Sequence, residues 1–313
     1  MENSLIQSRN KKKKPIAETI FIVLMLVYPI LHFLIFWGIV NVSSIMRTFQ
    51  KFIAIENGQI VNRWEFVWFE NYKTVWKSLS DENMKRIISN SVGYMIVSNF
   101  ISLPLAILSS YFLFKKMFMA KWFRVIFFLP SIIPIVVLAT VFRFQFDPVY
   151  GPIDSLLKSM NITPPNWFGL YPNSQYMLYL YCLWAGLGFN VLLLSGAIGR
   201  LPVDLFEYSK LEGTPMMKEM FQIVIPLIWP TITTTFLLGL TSVFNVMLQP
   251  MMIMPNDAKT QTIAVRIYNS ISNSDASSRV ETITFGLLLS FLALPFILLA
   301  RFAMEKIFAD VEF

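Results

Sequence analysis

Residues 283–300 read ITFGLLLSFLALPFILLA, an apolar run without a charged side chain. A helix needs about 20 predominantly apolar residues to cross a hydrocarbon core about 30 Å thick. About a dozen Leu, Ile and Phe side chains in this run each favour insertion by roughly 0.3–0.6 kcal/mol. We therefore predict that this run spans a membrane as a helix.

Further apolar runs of similar length precede it. They cover residues 16–42, 92–114, 123–142, 177–198 and 223–248. Hydrophobic residues make up 55% of the 313-residue chain and charged residues 14%, which leaves too little polar surface for a soluble globule of this size. The sequence predicts an all-α integral membrane fold with six transmembrane helices.

The polar chemistry of the chain is sparse. Cys182 is the only cysteine and His32 the only histidine, which excludes an intrachain disulfide and a His/Cys zinc site. We predict no catalytic residue and no metal ligand. The net charge of +7 does not indicate nucleic acid as a partner, because the basic residues lie mainly between the apolar runs. Membrane lipid is the expected partner of the apolar surface.

The distribution of basic residues predicts the orientation. The lysine run 11–14 precedes an apolar run that is too long for a cleaved signal peptide, and no small-residue cleavage site follows. With the N-terminus inside, the inner segments hold the denser Lys and Arg clusters, so both termini are predicted to be cytoplasmic. The predicted organisation is a basic tail at 1–15, a first helix with an outer loop at 16–91, a transmembrane core at 92–306 and a cytoplasmic tail at 307–313.

The outer loops differ in length. The first, at 43–91, is long and rich in aromatic residues, and it allows two interpretations: a small structured cap, or an amphipathic segment that lies at the interface as an aromatic belt. In the second outer loop, turn signals at 147–152 precede a short amphipathic helix predicted at about 153–160.

The inner loop between the fourth and fifth runs reads LPVDLFEYSKLEGTPMMKEMFQIVIPLIWP at 201–230. Pro202 suits the first turn of a helix, while Gly213 and Pro215 supply a left-handed cap and a stop. The loop therefore frames a helix of about a dozen residues, which is too short to span a membrane. Apolar side chains among its charges indicate that this helix binds a partner.

This loop resembles the cytoplasmic EAA loop of the permease subunits of binding-protein-dependent ABC importers. The family pattern is E-A-A-x-x-x-G, nine residues, then I-x-L-P, and its spacing is matched throughout. The chain departs from it at several positions, including the two alanines and the leucine. The positions that correspond to the motif and would contact an ATPase are Glu207, Tyr208, Ser209, Glu212, Gly213 and Pro226.

Flanking segments extend the resemblance to the maltose-type sugar permeases over roughly residues 65–305. Trp184 followed by Gly188-Phe189-Asn190 is similar to the W-x-x-x-G-F-N segment of that group, and residues 147–151 are similar to its N-P-x-x-G loop. The segment 254–258 departs from the group, which usually has T-x-G-G-P there.

The resemblance implies a transmembrane permease subunit of an ATP-driven importer of carbohydrate, in the plasma membrane of a bacterium. The helix at 202–213 would be a coupling helix that sits in a cleft of a separate ATPase. The chain has no G-x-x-x-x-G-K-[ST] phosphate loop, so ATP and Mg would bind the ATPase, and this chain would hold no cofactor and have no enzymatic activity. The implied partners are a second related permease, an ATPase dimer and an extracytoplasmic substrate-binding protein.

Polar residues within the apolar runs are candidates for the substrate path, because each is costly in lipid unless it lines a cavity or finds a partner. Thr241, Asn245 and Gln249 have i, i+4, i+8 spacing, which predicts one helical face, and Gly186 and Gly188 are expected to open room in the fourth run. The candidates, some taken from the resemblance, are Trp184, Gly186, Phe189, Asn190, Thr241, Phe244, Asn245 and Gln249. Aromatic faces and amides suit a sugar. Interhelical hydrogen bonds are the alternative role for Asn245 and Gln249, and packing is the alternative for Trp184.

Two other functions remain open. A secondary transporter typically has buried titratable pairs or paired broken helices, whereas these runs hold almost no ionisable residue. An ABC permease for a polyamine or another small solute is the second alternative. A polyamine path should contain buried acids, and the last three runs contain no Asp or Glu.

Overall fold

The structure is a computed structural model that describes residues 16–56, 59–169, 171–255, 257–273 and 275–308. The lysine run at 11–14, with the rest of the predicted N-terminal tail, lies outside the described residues, as does the C-terminal tail after residue 308. The described part of the chain is mostly helical, and it divides into two compact units between Asn71 and Tyr72.

The first unit contains a long apolar helix and a two-stranded antiparallel hairpin. Its elements are α1 (Ile16–His32), a π-helical stretch (Phe33–Ile39), α2 (Val40–Thr48), β1 (Gln50–Glu56) and β2 (Gln59–Phe66). In the hairpin Gln50 lies opposite Phe66. The amide of Asn71 donates to the carbonyl oxygens of Thr48 and Gln50 at 2.8 and 2.9 Å, which ties down the start of the hairpin.

The hairpin corrects the all-α prediction at this one place. Within the segment 43–91 the hairpin is a small structured element, as the first of the two interpretations expects. Its sequence signal is the dipeptide Asn57-Gly58 between two β-prone runs, a combination typical of two-residue hairpin turns. The aromatic residues of this segment pack partly on one another and on Arg47, whose guanidinium lies 4.3 Å from the centre of the Trp64 ring.

The second unit is helical throughout the residues that the structure describes. α3 (Glu70–Ser78) contains the boundary between the units. The elements that follow are α4 (Glu82–Ile96), a π-helical stretch (Val97–Ser102), α5 (Leu103–Phe114), α6 (Ala120–Ile132), α7 (Ile135–Gln145), α8 (Pro152–Ser159), α9 (Asn173–Ile198), α10 (Val203–Leu211), α11 (Met216–Glu219), a π-helical stretch (Met220–Val224), α12 (Ile225–Leu227), α13 (Trp229–Leu240), α14 (Ser242–Asn245), α15 (Leu248–Ile253), α16 (Ile263–Asn273) and α17 (Ala276–Ile307).

Four helices among the described residues are long and apolar enough to cross a membrane. They are Ile20–Thr48, Glu82–Phe114, Asn173–Ile198 and Ala276–Ile307. Two further helix pairs reach the required length only together, and they are bent by 113° between α6 and α7 and by 77° between α12 and α13. The chain is therefore a multi-pass membrane protein with four spans, or up to six if each bent pair counts as one.

The bends interrupt two of the runs that were predicted to span a membrane as helices, 123–142 and 223–248. Ile133 has ψ of 135°, because the ring of Pro134 disfavours the helical conformation in the residue before it, and Pro134 itself also has ψ of 135°. Ile228, with φ of −95° and ψ of 9°, separates the second pair. The second span also differs from its prediction at 92–114, since its helix begins at Glu82.

Two π-helical stretches each end two residues before a proline. Val97–Ser102 precedes Pro104, and Met220–Val224 precedes Pro226. A proline ring in a regular α-helix clashes with the carbonyl group four residues earlier, which here belongs to Phe100 or Gln222. Both carbonyl groups lie inside the π stretches, whose wider turns accommodate the ring. After Pro104 the helix continues to Phe114, whereas after Pro226 it ends at Leu227.

Helix α9 packs against both α5 and α6. A side chain at Gly188 would collide with the carbonyl oxygen of Phe127 in α6, so this glycine permits close contact between two helices. The expectation that Gly188 opens room is therefore wrong. Around Gly186, two residues earlier and on a different side of the helix, there is open space instead.

The loop between α7 and α9 is a compact structure with the predicted short helix, α8. The Asp147 carboxylate accepts hydrogen bonds from the backbone N–H groups of Val149 and Tyr150, both at 2.9 Å. These two bonds stabilise the ionised carboxylate and hold the pKa of Asp147 below its usual value. The bond from Tyr150 lowers the pKa more than the bond from Val149 does. The indole of Trp167 donates to the buried Asp154 at 2.7 Å and fixes α8 to the end of the loop.

Candidate functional site

A cavity of about 590 Å³ lies beside α9 in the second unit. Its walls come from the π stretch Val97–Ser102, the bend between α6 and α7, the middle of α9, and the segment from α13 to α15. The volume is within the range of about 300–1,000 Å³ that is typical of small-molecule sites. The breaks in the helices therefore lie around a space large enough for a ligand.

The polar lining of the cavity carries hydrogen-bonding groups without formal charge. It consists of the hydroxyls and amides of Tyr94, Ser98, Ser102, Ser131, Tyr181, Asn190, Thr235, Ser242 and Gln249. Within the described part of the chain, no Asp, Glu, Lys, Arg or His lines this cavity. Ser242 Oγ and Gln249 Oε1 are shielded and have no hydrogen-bond partner in the described protein. These two shielded atoms lack the accessible surface that a ligand in the cavity would need to reach them.

Four of the predicted substrate-binding residues line this cavity: Gly186, Phe189, Asn190 and Gln249. Trp184 lies outside the lining, and its indole stacks on Phe142 with ring centroids 6.0 Å apart. Phe244 also lies outside it and packs against a separate hydrophobic cluster that includes Ile263 and Phe285.

Thr241, Asn245 and Gln249 do not share one helical face, which corrects the prediction from their spacing. Helix α14 ends at Asn245, and Val246 has ψ of 97°, so the i+8 relationship fails. The Thr262 hydroxyl donates to the Val246 carbonyl oxygen at 2.6 Å and satisfies this group at the break. The side-chain amide of Asn245 donates a hydrogen bond of 3.3 Å to Thr241 Oγ1, one helical turn earlier.

A second feature is the short helix α10, which lies where the sequence predicts a loop helix. It covers Val203–Leu211 and is shorter than the predicted 202–213. Gly213 has φ of +66°, the left-handed conformation expected of it. Its N–H donates to the Lys210 carbonyl oxygen at 3.1 Å, and the N–H of Thr214 donates to that of Ser209 at 3.0 Å. These two bonds form a Schellman cap, which ends the helix sharply.

The two faces of α10 differ in exposure. Phe206 and Ser209 are buried, with 6% and 2% of their surface exposed. Tyr208 and Leu211 are 68% and 84% exposed, and Glu207 and Glu212 are exposed beside them. Two large side chains without cover on a nine-residue helix are an unusual surface for an isolated loop. Pro226, the last residue of the predicted motif, is half-buried in α12.

The sequence analysis missed a buried ionic cluster behind α10. Glu219 forms an ion pair with Lys115 and accepts hydrogen bonds from the hydroxyls of Tyr111 at 2.9 Å and Ser209 at 2.8 Å. Local sequence patterns give no signal for this cluster, because its members are far apart in the chain: Tyr111 and Glu219 are separated by 108 positions.

The chain matches the family described as "Binding-protein-dependent transport system inner membrane component" over residues 102–311. The chain belongs to this family. The membership predicted from the spacing of residues 207–226 is therefore confirmed. The matched region of this inner membrane component includes α10, the Glu219 cluster and nearly all of the cavity lining.

Curated relatives of this inner membrane component are distant in sequence. The arabinooligosaccharides transport system permease protein of Bacillus subtilis (strain 168) is 23% identical over 203 residues, which is 64% of this chain and 61% of that protein. The trehalose/maltose transport system permease protein of Thermococcus litoralis is 25% identical over 173 residues, 54% of this chain and 58% of that protein. Each match thus spans less than two thirds of the relative's length.

A solved structure shares the fold of this inner membrane component. It is described as a bacterial alginate ABC transporter in complex with an alginate pentasaccharide-bound periplasmic protein. The likeness has a TM-score of 0.78 at 19% sequence identity and covers 95% of this chain and 98% of the matched chain. At this identity the match establishes the fold alone.

Proposed function

We propose that this protein is the transmembrane permease subunit of an ATP-driven ABC importer and forms half of the translocation pathway for a carbohydrate. The observation that carries the proposal is α10. At 1.5 Å per residue a nine-residue helix is about 13 Å long, too short to cross a membrane. Its exposed Tyr208 and Leu211 and its left-handed Gly213 cap suit a helix that docks into another protein.

In this proposal α10 is the coupling helix between the fourth and fifth of six spans. The bent pairs α6–α7 and α12–α13 count as the third and fifth spans, and both termini are cytoplasmic. This topology places α10 on the cytoplasmic side, where an ATPase can reach it. Glu207 and Glu212 would make charge-assisted contacts with basic groups of the ATPase, and Tyr208 and Leu211 would fill its cleft.

The cavity supports a neutral, hydroxyl-rich substrate. The Phe189 ring offers an apolar surface to one face of a sugar ring, and the amide of Asn190 can both donate to and accept from hydroxyl groups. The names of the two relatives, which refer to arabinooligosaccharides and to trehalose and maltose, agree with a carbohydrate. Ion-coupled secondary transport fits less well, because no acidic or basic residue among those described lines the cavity.

The other subunits of the transporter would be separate chains. ATP and Mg would bind a dimer of ABC ATPases, and this chain would hold no cofactor. A second related permease would complete the pathway, and an extracytoplasmic binding protein would deliver the substrate. The complex named in the alginate structure, a transporter with a periplasmic protein, is consistent with such an assembly.

The proposal is tested by purifying the tagged protein from its native plasma membrane in mild detergent. We expect a second permease and an ATPase chain to co-purify, and ATP hydrolysis to rise when a neutral oligosaccharide is supplied with its binding protein. Recovery of this chain alone or as a homo-oligomer, without ATP hydrolysis, would favour a secondary transporter. Stimulation by a cationic solute and by no sugar would favour the non-sugar importer.

A further inference from the structure

The carboxylate of Glu219 joins three segments of the second unit. Only 2% of Glu219 is exposed. It forms an ion pair with Lys115, just after the end of α5, and accepts a hydrogen bond from Tyr111 within α5. Its other oxygen accepts a hydrogen bond of 2.8 Å from Ser209 on α10. One buried acid therefore connects α10 with the end of the long helix Glu82–Phe114.

Aromatic side chains also connect α10 with the end of α5. Phe206, three residues before Ser209 on α10, packs its ring against that of Phe114 with centroids 4.7 Å apart. The Lys115 ammonium lies 5.2 Å from the centre of the Phe206 ring. Residues spaced i, i+3 share one face of a helix, so the buried face of α10 rests on the end of α5.

The helix that α10 contacts continues to the cavity. α5 follows directly on the π stretch Val97–Ser102, of which Val97, Ser98 and Ser102 line the cavity. At 1.5 Å per residue, the segment from Ser102 to Lys115 is about 20 Å long. A continuous helix of this length can transmit a displacement from one end to the other.

A buried ion pair is not needed for stability alone. Removing two charges from water is costly, and replacing such a pair by apolar residues of similar volume is often neutral or stabilising. We therefore look for the role of the Lys115–Glu219 pair in how it holds α10 in place.

We propose that Lys115 and Glu219 are positioning residues that fix α10 to the end of the helix Glu82–Phe114, so that movement of α10 on its partner is transmitted to the cavity wall. This inference rests on the proposed importer function. Ser209 completes the connection on the side of α10. When the pair is removed, α10 still docks, but its movement is no longer passed on fully.

The test uses the complete complex reconstituted in vesicles with its binding protein, and measures substrate molecules taken up per ATP hydrolysed. In the double variant Lys115→Met/Glu219→Met, which keeps the volume and removes both charges, we expect normal assembly and continued hydrolysis with about tenfold lower uptake per ATP. The matched control is Lys116→Met, because Lys116 is the exposed neighbour and forms no part of the cluster.

Ser209→Ala provides an independent test, because it removes one hydroxyl and keeps the ion pair. We expect about threefold lower uptake per ATP. A merely structural role would reduce the amount of complex and leave this ratio unchanged. If uptake per ATP is unchanged in the double variant, the inference is overturned. If the double variant does not assemble, unchanged uptake per ATP in Ser209→Ala overturns it. A wild-type complex that shows no ATP-driven uptake would instead contradict the proposed function itself.

Discussion

The amide of Asn190 donates a hydrogen bond of 3.2 Å to Ser102 Oγ, and both residues line the cavity. Asn190 belongs to α9, and Ser102 ends the π stretch that leads into α5. The bond links the central helix of the second unit to the helix that ends at the Glu219 cluster. A ligand that hydrogen-bonds Asn190 would therefore contact a residue that is itself attached to the proposed path of coupling.

Asn190→Leu is expected to weaken substrate binding while keeping the side-chain volume similar. One hydrogen bond between uncharged groups contributes about 0.5–1.5 kcal/mol, so the KM for uptake should rise about three- to tenfold. ATP hydrolysis without substrate should be unchanged. The control is Asn173→Leu, at the exposed start of the same helix and outside the cavity. A KM that is unchanged in Asn190→Leu would remove this residue from the substrate path.

Gly186→Leu should obstruct the cavity. No atom lies within 4 Å of the position that a side chain at Gly186 would enter, and Gly186 lines the cavity. We expect uptake to fall by more than tenfold in a complex that still assembles. Gly196→Leu is a matched control, because Gly196 lies on the same helix, has equally open surroundings and does not line the cavity. Similar uptake in the two variants would argue against passage through this cavity.

Gly188→Ala tests the packing of α9 on α6. Its methyl group would meet the Phe127 carbonyl oxygen, a backbone atom that cannot turn away as a side chain can. Overpacking of this kind typically costs about 1–3 kcal/mol, so the thermal unfolding temperature in detergent should fall. Gly186→Ala, two residues earlier, should leave that temperature nearly unchanged. Equal melting of the two variants would contradict the close helix contact.

Gly213 variants test the cap of α10. Its φ of +66° costs a residue with a Cβ atom about 1–2 kcal/mol, except that Asn adopts this conformation more readily. We expect uptake to decrease in the order Gly213→Asn, Gly213→Ala, Gly213→Pro, with none left in the proline variant, because its ring fixes φ near −65°. Insertion into the membrane should be equal in all three, as measured by the amount of protein in washed membranes. Full uptake by Gly213→Pro would show that this cap is not needed.

The apolar runs and the loop helix were predictable because they depend on local sequence. Composition identifies the spans, and the spacing around Gly213 identifies α10 and its cap. The break at Val246 was not predictable in this way, since neither Val246 nor Met247 is a glycine or proline. It depends on the Thr262 hydroxyl, which reaches the Val246 carbonyl oxygen from another segment.

The candidate site was predicted in part for a similar reason. Gly186, Phe189 and Asn190 lie on the unbroken helix α9, where helical spacing holds, and all three line the cavity. Thr241, Asn245 and Gln249 in the fifth run do not lie on one helical face, because the helix is broken at Val246. The Lys115–Glu219 pair depends on tertiary contact between distant segments, so charge patterning could show only that both residues lie near the ends of apolar runs.

Site-specific photo-crosslinking in native membranes tests whether α10 docks into a separate ATPase. A crosslinking amino acid replaces Leu211, which is 84% exposed on the nine-residue helix α10, or Leu156, which is 61% exposed on the eight-residue helix α8. We expect an adduct with an ATP-binding-cassette chain from position 211 and none from position 156. Absence of that adduct from position 211 in membranes that contain the assembled complex, or its appearance only from position 156, would contradict the account.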